Sequence, residues 1–263
     1  MIIDSQCHVS PVWYEPAEAL LTQMDRYRVA QALLIQMLGQ TNNYYQQDCL
    51  KRFPDRFASV VLVDPATTDA VDTLKRLADE GASGVRLRPA ARSPGRDPLA
   101  IWRTAEECGM AVSCVGNSAG FASPEFFALA ADLPKLKIVL EHLGGTSTPD
   151  ADDEARAVRQ KVFELAQYQN IYLKVPGLGE LIPRLSPPSA EGSPFGEITP
   201  PILLEALKRF GAERLMWGSD FPPVSSREGY GNSLQLCRAA LASQSAIEQA
   251  LIFGGTAKQV FFK

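Results

Sequence analysis

Short apolar or β-branched runs recur along the chain, separated by segments with helical periodicity. Eight runs stand out: IIDSQCHV, VAQALLIQ, FASVVLVD, GVRLRP, MAVSCVGN, KIVLEHLG, IYLKVPGL and RLMWGSDF. Each is of strand length and carries the branched side chains that suit a pleated, buried surface. Helical spacing is clearest over 69–80, 97–107, 153–168 and 200–210, and several of these open on Asp or Pro, as helix starts prefer. Strand and helix alternate throughout, which predicts a parallel sheet, because parallel neighbours need a long crossover between them. Eight such units in 263 residues match one α/β domain, residues 1–263, folded as a (β/α)8 TIM barrel. A two-layer open α/β sheet is the alternative.

The connections are unequal. Those entering strands are brief, as in EGAS, ECG and FGAE, whereas those leaving strands are long and rich in Gly, Pro and Ser: PAARSPGR, NSAGFASP, GGTSTPDAD and PPVSSREGYGN. Long loops on the carboxyl side of the strands mark the working face of a barrel. Segment 179–199 is the longest, with the composition of a lid rather than of a second domain.

Composition narrows the partners. There are 26 basic against 30 acidic residues and no long basic run, which argues against nucleic acid or an anionic membrane. A small-molecule partner is expected, with a homo-oligomer left open. The five cysteines are widely spaced and form no C-x-x-C pair, so neither a disulfide framework nor a structural zinc site is expected. No apolar run approaches bilayer-spanning length, and no leader pattern opens the chain, so a cytoplasmic protein is expected.

The two histidines both fall at strand ends: His8 in IIDSQCHV and His142 in KIVLEHLGG. Asp220, in RLMWGSDFPP, ends the last apolar run. Strand alternation puts Asp4, Gln6 and His8 on one face and Cys7 on the other. His8 alone also reads as a hydrogen-bonded core histidine, and Asp220 as a helix N-cap. Arg86 and Arg88 share one face of GVRLRP, and Lys174 ends IYLKVPGL. Cations there suit a carboxylated substrate, because guanidinium binds carboxylate in bidentate geometry. Lys174 also reads as a stem covering apolar surface, or as a Schiff-base amine. Cys7 and Cys114 read as small apolar packers, and no G-x-S-x-G elbow supports serine chemistry.

These motifs carry a resemblance. IDSQCHV resembles the Ile-Asp-x-His-x-His opening strand of the amidohydrolase superfamily, with Gln6 at its first His. EHLGG resembles a His-Leu-Gly-Gly turn, and WGSDFP the Trp-Gly-Ser-Asp-[Tyr/Phe]-Pro motif of the amidohydrolase-related branch, which includes the 2-pyrone-4,6-dicarboxylate lactonase-like hydrolases. GVR, the Lys174 segment with Pro176 in place of Ser, and the tail GGTAKQVF are similar to further family patterns. The resemblance implies a barrel hydrolase that opens a lactone or cyclic ester or amide, with Asp220 activating water and His8 and His142 polarising the carbonyl. It also implies Arg86, Arg88 and Lys174 as substrate-binding positions. A non-oxidative decarboxylase of the same family, a lyase using Lys174 and a non-catalytic binding barrel are the other readings. Cys114 or Val115 stands where relatives often carry a fifth-strand His. With Gln6, this leaves either no metal or one zinc or manganese ion weakly held by His8, His142 and Asp220.

Overall fold

In the computed structural model, which describes residues 1–146, 152–183, 185–187, 195 and 199–262, the apolar runs become strands β1 (Ile3–Cys7), β2 (Gln31–Ile35), β3 (Phe57–Val61), β4 (Gly84–Leu87), β5 (Ala111–Cys114), β6 (Ile138–Leu140), β7 (Ile171–Val175) and β8 (Leu215–Trp217). They form one sheet in chain order, each strand parallel to the next. Beyond the last strand the sheet meets its own beginning. Asp220 N donates to Gln6 O at 2.9 Å and His8 N to Phe221 O at 2.8 Å. The sheet is therefore a barrel, and the open-sheet alternative falls away. The strands are shorter than the runs because the last residues of each run turn outward into the loops.

Two apolar layers hold the barrel. Inside it, Leu33, Ile35, Ala58, Val60, Val139 and Met216 pack with Val260 and Phe261 of the terminal helix Thr256–Phe261, which closes the amino end. Gly84 allows this closure: a Cβ there would lie 2.6 Å from Ala111 O and 3.2 Å from the Phe261 ring. Outside it, helices lay apolar stripes on the strands. Helix Ala70–Asp79 buries Ala70, Leu74 and Leu77, and full burial of each leucine contributes about 1.5–3 kcal/mol. The expected helices 97–107, 153–168 and 200–210 appear as Ala100–Glu107, as Asp153–Phe163 continued by a 3-10 turn, and as Pro201–Phe210.

The register of β1 departs from simple alternation. Its pairing with β2 shifts between Asp4 and Cys7, and Asp4 interacts with Cys7, whereas Ile3 belongs to the inner layer. Asp4 thus does not share the face of Gln6 and His8, as regular alternation had suggested. One extra residue in a strand re-aims everything after it. Asp4 instead accepts a bond from Ser219 N at 2.8 Å and anchors the turn that carries Asp220. All five cysteines are free thiols. Among the described residues, no helix is long and apolar enough to cross a membrane.

Candidate active site

The three strand-end groups come together at the carboxyl mouth of the barrel. His8 Nε2 lies 3.5 Å from Asp220 Oδ1, with both side chains largely buried. His8 Nδ1 lies 2.8 Å from the Ile35 carbonyl oxygen. A carbonyl can only accept, so Nδ1 carries a proton and Nε2 of the neutral ring is left to accept. Asp220 Oδ2 meets Arg227 at 3.4 Å, and the same guanidinium bonds Glu180 Oε1 at 2.6 Å. Glu180 Oε2 in turn sits 2.8 Å from His142 Nδ1. A continuous chain of polar contacts therefore joins His8, Asp220, Arg227, Glu180 and His142.

The backbone at this rim is unusual. His142 (φ 51°), Leu143 (φ 53°) and Asp220 (φ 61°) adopt the left-handed region, a conformation that concentrates at functional sites. The glycines after His142 complete the turn for two reasons. Gly144 and Gly145 have φ of 72° and 69°, and a Cβ on Gly145 would stand 2.7 Å from Gly116 O. The EHLGG pattern is thus a requirement for backbone that must double back tightly against the loop after β5.

Burial works against the His142 imidazolium, but the hydrogen bond and charge of Glu180, with Glu141 and Asp220 behind it, prevail and raise its pKa above 6.5. Glu180 lies in segment 179–199, the greater part of which is outside the described residues; the lid expectation falls mostly on those positions. The described start of the segment, the turn Leu178–Glu180, carries this carboxylate to His142.

Below the rim, the barrel interior is charged. Glu141 accepts from Arg86 Nε at 3.1 Å, from Arg86 Nη2 at 2.6 Å and from Ser113 at 2.7 Å. Lys174 Nζ donates to Gln6 Oε1 at 2.6 Å and to Ser113 Oγ at 2.8 Å. Burial opposes ionisation of Glu141, yet Arg86 and Lys174 hold it well below the usual carboxylate range. Burial pushes the Lys174 amine down to about 8, against the pull of Glu141.

Arg86 and Lys174 are consequently engaged inside the protein, each with its head group already bonded. Arg88, expected on the same strand face as Arg86, lies beyond the end of β4 and is exposed. It helps line a cleft of about 390 Å³ at the mouth beside β2, β3 and β4, with Leu38, Thr41, Leu62, Asp64 and Arg86. On the other side, the Tyr14 ring lies 5.9 Å from that of His8, and Trp13 stacks on Tyr14 at 5.0 Å. Glu141, Glu180, Arg227 and Ser113 escaped the sequence reading. Only Glu141, adjacent to His142 in EHLGG, carried a signal that could have exposed it.

A divalent ion suits this donor set poorly. Gln6 must present its oxygen to the Lys174 ammonium, which has no lone pair, so its amide nitrogen points the other way, 3.4 Å from His8 Nε2. A donor thus faces the imidazole nitrogen that an ion would need. His142 spends Nδ1 on Glu180, and among the described residues no three His, Cys, Asp or Glu side chains are grouped to hold a metal.

Comparison with known proteins agrees with this architecture. An amidohydrolase family model (Amidohydro_2) matches residues 5–263. A curated L-fucono-1,5-lactonase from Burkholderia ambifaria is 31% identical over 144 residues, covering 51% of this chain and 44% of that protein. The chain thus matches less than half the length of this relative. Among solved structures, a protein assigned provisionally as a 2-pyrone-4,6-dicarboxylic acid hydrolase from Pseudomonas putida is 25% identical, with a TM-score of 0.74 over 99% of this chain and 97% of its own. An amidohydrolase from Burkholderia multivorans with bound zinc has a TM-score of 0.76 at 20% identity, over 99% and 98% of the two chains. That likeness speaks for the fold alone.

Proposed function

The chain belongs to the amidohydrolase family, and from this premise we propose that it is a hydrolase that opens a carboxylated lactone by direct attack of water. The observation that carries the reading is the pairing of Asp220 with His8 Nε2 at 3.5 Å beside a His142 oriented by Glu180. The Asp220 carboxylate, beside the His8 ring whose Nε2 faces the Gln6 amide, is the acceptor that takes a proton from water. The curated lactonase relative and the provisionally assigned pyrone dicarboxylic acid hydrolase support the choice of a lactone.

In this reading Asp220 takes a proton from water as the oxygen adds to the lactone carbonyl. His142, protonated through its link to Glu180, donates Nε2–H to the developing oxyanion. Collapse of the tetrahedral intermediate breaks the ring C–O bond, and His142 passes its proton to the departing alkoxide. The proton held by Asp220 leaves to solvent, His142 is reprotonated, and the product is a hydroxy acid. Arg88 takes the substrate carboxylate in the cleft, since Arg86 is neutralised by Glu141. The decarboxylase reading uses the same groups and differs in releasing CO₂, which a coupled assay detects. A lyase would need a ketone to reach Lys174 past Gln6, at an amine that is 2% exposed.

The test is a panel of lactones with and without a free carboxylate, followed by a pH-indicator dye that registers the acid released. Ring opening confined to carboxylated members is expected. Absence of turnover across the panel, with binding retained, would favour a barrel that only holds its ligand. Arg88→Ala is expected to raise KM for carboxylated substrates about 10- to 100-fold, the worth of one charged hydrogen bond, and to leave a neutral ester analogue unaffected. Equal losses on both substrates would remove Arg88 from the carboxylate subsite.

A pH prediction follows from His142. Its raised pKa means that the protonated form persists to higher pH than in a free imidazole. Activity that needs this proton is lost as pH rises through the folded-state pKa. Glu180→Gln removes the charge that raises it, so the alkaline limb of the kcat profile should move to lower pH. An unmoved limb would show that His142 does not work as the acid.

A further inference from the structure

An ammonium group stands inside the barrel, below the rim that carries His8, His142 and Asp220. Lys174 on β7 reaches across the interior to Gln6 on β1 and Ser113 on β5, at 2.6 and 2.8 Å. Gln6 Nε2 then lies 3.4 Å from His8 Nε2 and 3.5 Å from Glu141 Oε2. Lys174 is 2% exposed, and Glu141, the carboxylate that acts on it most strongly, already forms a bidentate pair with Arg86. With Arg86 and Glu141 cancelling, one positive charge remains below the reacting groups.

We infer that Lys174 and Gln6 together replace a metal ion: the ammonium supplies the buried positive charge, and the glutamine amide transmits it to His8 by fixing the hydrogen bond at Nε2. Lys174 is a positioning residue in this arrangement, acting through Gln6 and touching no substrate. Three features require one another. Without the ammonium, the Gln6 amide could turn its oxygen toward His8. Without the glutamine, the ammonium would lose its Oε1 acceptor and His8 Nε2 the amide donor that faces it. With the ammonium in place, a divalent ion near His8 meets both a like charge and an occupied nitrogen. The geometry accounts for Gln6, the one departure from the family strand motif that neither packing nor substrate binding explains. The inference concerns the charge inside the barrel and stands whichever substrate is turned over, so its test does not depend on activity.

The probe is zinc alone, added to the full chain and followed by dialysis and elemental analysis. The unaltered protein and Gln6→His should each retain less than about a tenth of an equivalent. The double variant Gln6→His, Lys174→Met should retain about one equivalent, because an imidazole at position 6, His8 and Asp220 then offer the three protein ligands of an open zinc site. Stoichiometric zinc in the unaltered protein, or equal uptake by Gln6→His with and without Lys174, would overturn the inference. A second measurement uses the presence of only two histidines in the chain. In long-range 1H–15N spectra of the imidazoles, Lys174→Met should move the Nε2 resonance of His8 and leave His142 in place, and Lys174→Arg should restore the original position. A His8 signal indifferent to Lys174→Met would refute the coupling through Gln6.

Discussion

An Asp220→Asn enzyme is expected to lose a factor of about 10²–10⁴ in kcat, the usual contribution of a general base, with KM little changed. Asparagine has the size of aspartate and tolerates the left-handed backbone found at this position, φ 61°. The fold should therefore survive, and the loss should report on chemistry. An amide nitrogen has no free lone pair with which to take a proton from water, whereas the carboxylate beside His8 does. Substrate held by Arg88 in the cleft should still bind, so ligand affinity measured by quenching of Trp13 fluorescence is expected to be retained. Trp13 suits that purpose because it is 67% exposed beside Tyr14, while Trp102 and Trp217 are fully buried. A variant that keeps more than about a tenth of the parent kcat would sit outside the range of general-base effects and would remove Asp220 as the base.

The second large effect falls on stability. Glu141→Ala is expected to cost about 3–5 kcal/mol, the penalty for removing one partner of a buried ion pair. The glutamate side chain is fully buried and holds the nearly buried Arg86 guanidinium in a two-point contact. Its loss strands that guanidinium and the Lys174 ammonium with no counter-charge between them. Urea unfolding should show a lower midpoint at an unchanged slope, since the surface exposed on unfolding stays the same. A change below about 1 kcal/mol, the range of solvent-exposed pairs, would mean that water reaches the cluster. The pair also sets an acid limit. Glu141 binds its proton at an ordinary pKa of 4.5 when unfolded and well below that when folded. Between those two values the unfolded chain carries more protons, so the stabilisation is present above pH 4.5 and is lost as pH falls through the folded-state pKa.

Both predictions concern residues of very different visibility. Asp220 announces itself, since it follows an apolar run and sits among Gly, Ser and Pro where a strand gives way to a loop. His8 and His142 share that signature, and the alternation of strand and helix already implies that strand ends gather on one rim. Hydrophobic periodicity is a local property, and the barrel is what eight local repeats of the same kind produce when a parallel sheet twists and closes. The pattern of residues therefore determined the class of fold, and it placed His8, His142 and Asp220 at the carboxyl ends of their strands, where the structure brings them to one rim.

What Arg86, Lys174 and Asp4 do was settled elsewhere. Regular alternation placed Asp4 with Gln6 and His8, and a single register shift in β1 separated them. Arg86 looked like a free cation for substrate until Glu141, 55 positions away in the chain, came to face it across the barrel. Lys174 meets Gln6 from a distance of 168 residues, and Glu180 and Arg227 reach His142 and Asp220 from two separate loops. Side-chain period fixes which way a residue points relative to its own strand, whereas its partner is fixed by the stagger of other strands and the path of other loops. Charge compensation in a barrel is a property of that closed ring of strands, and it exists only once the tertiary structure has formed.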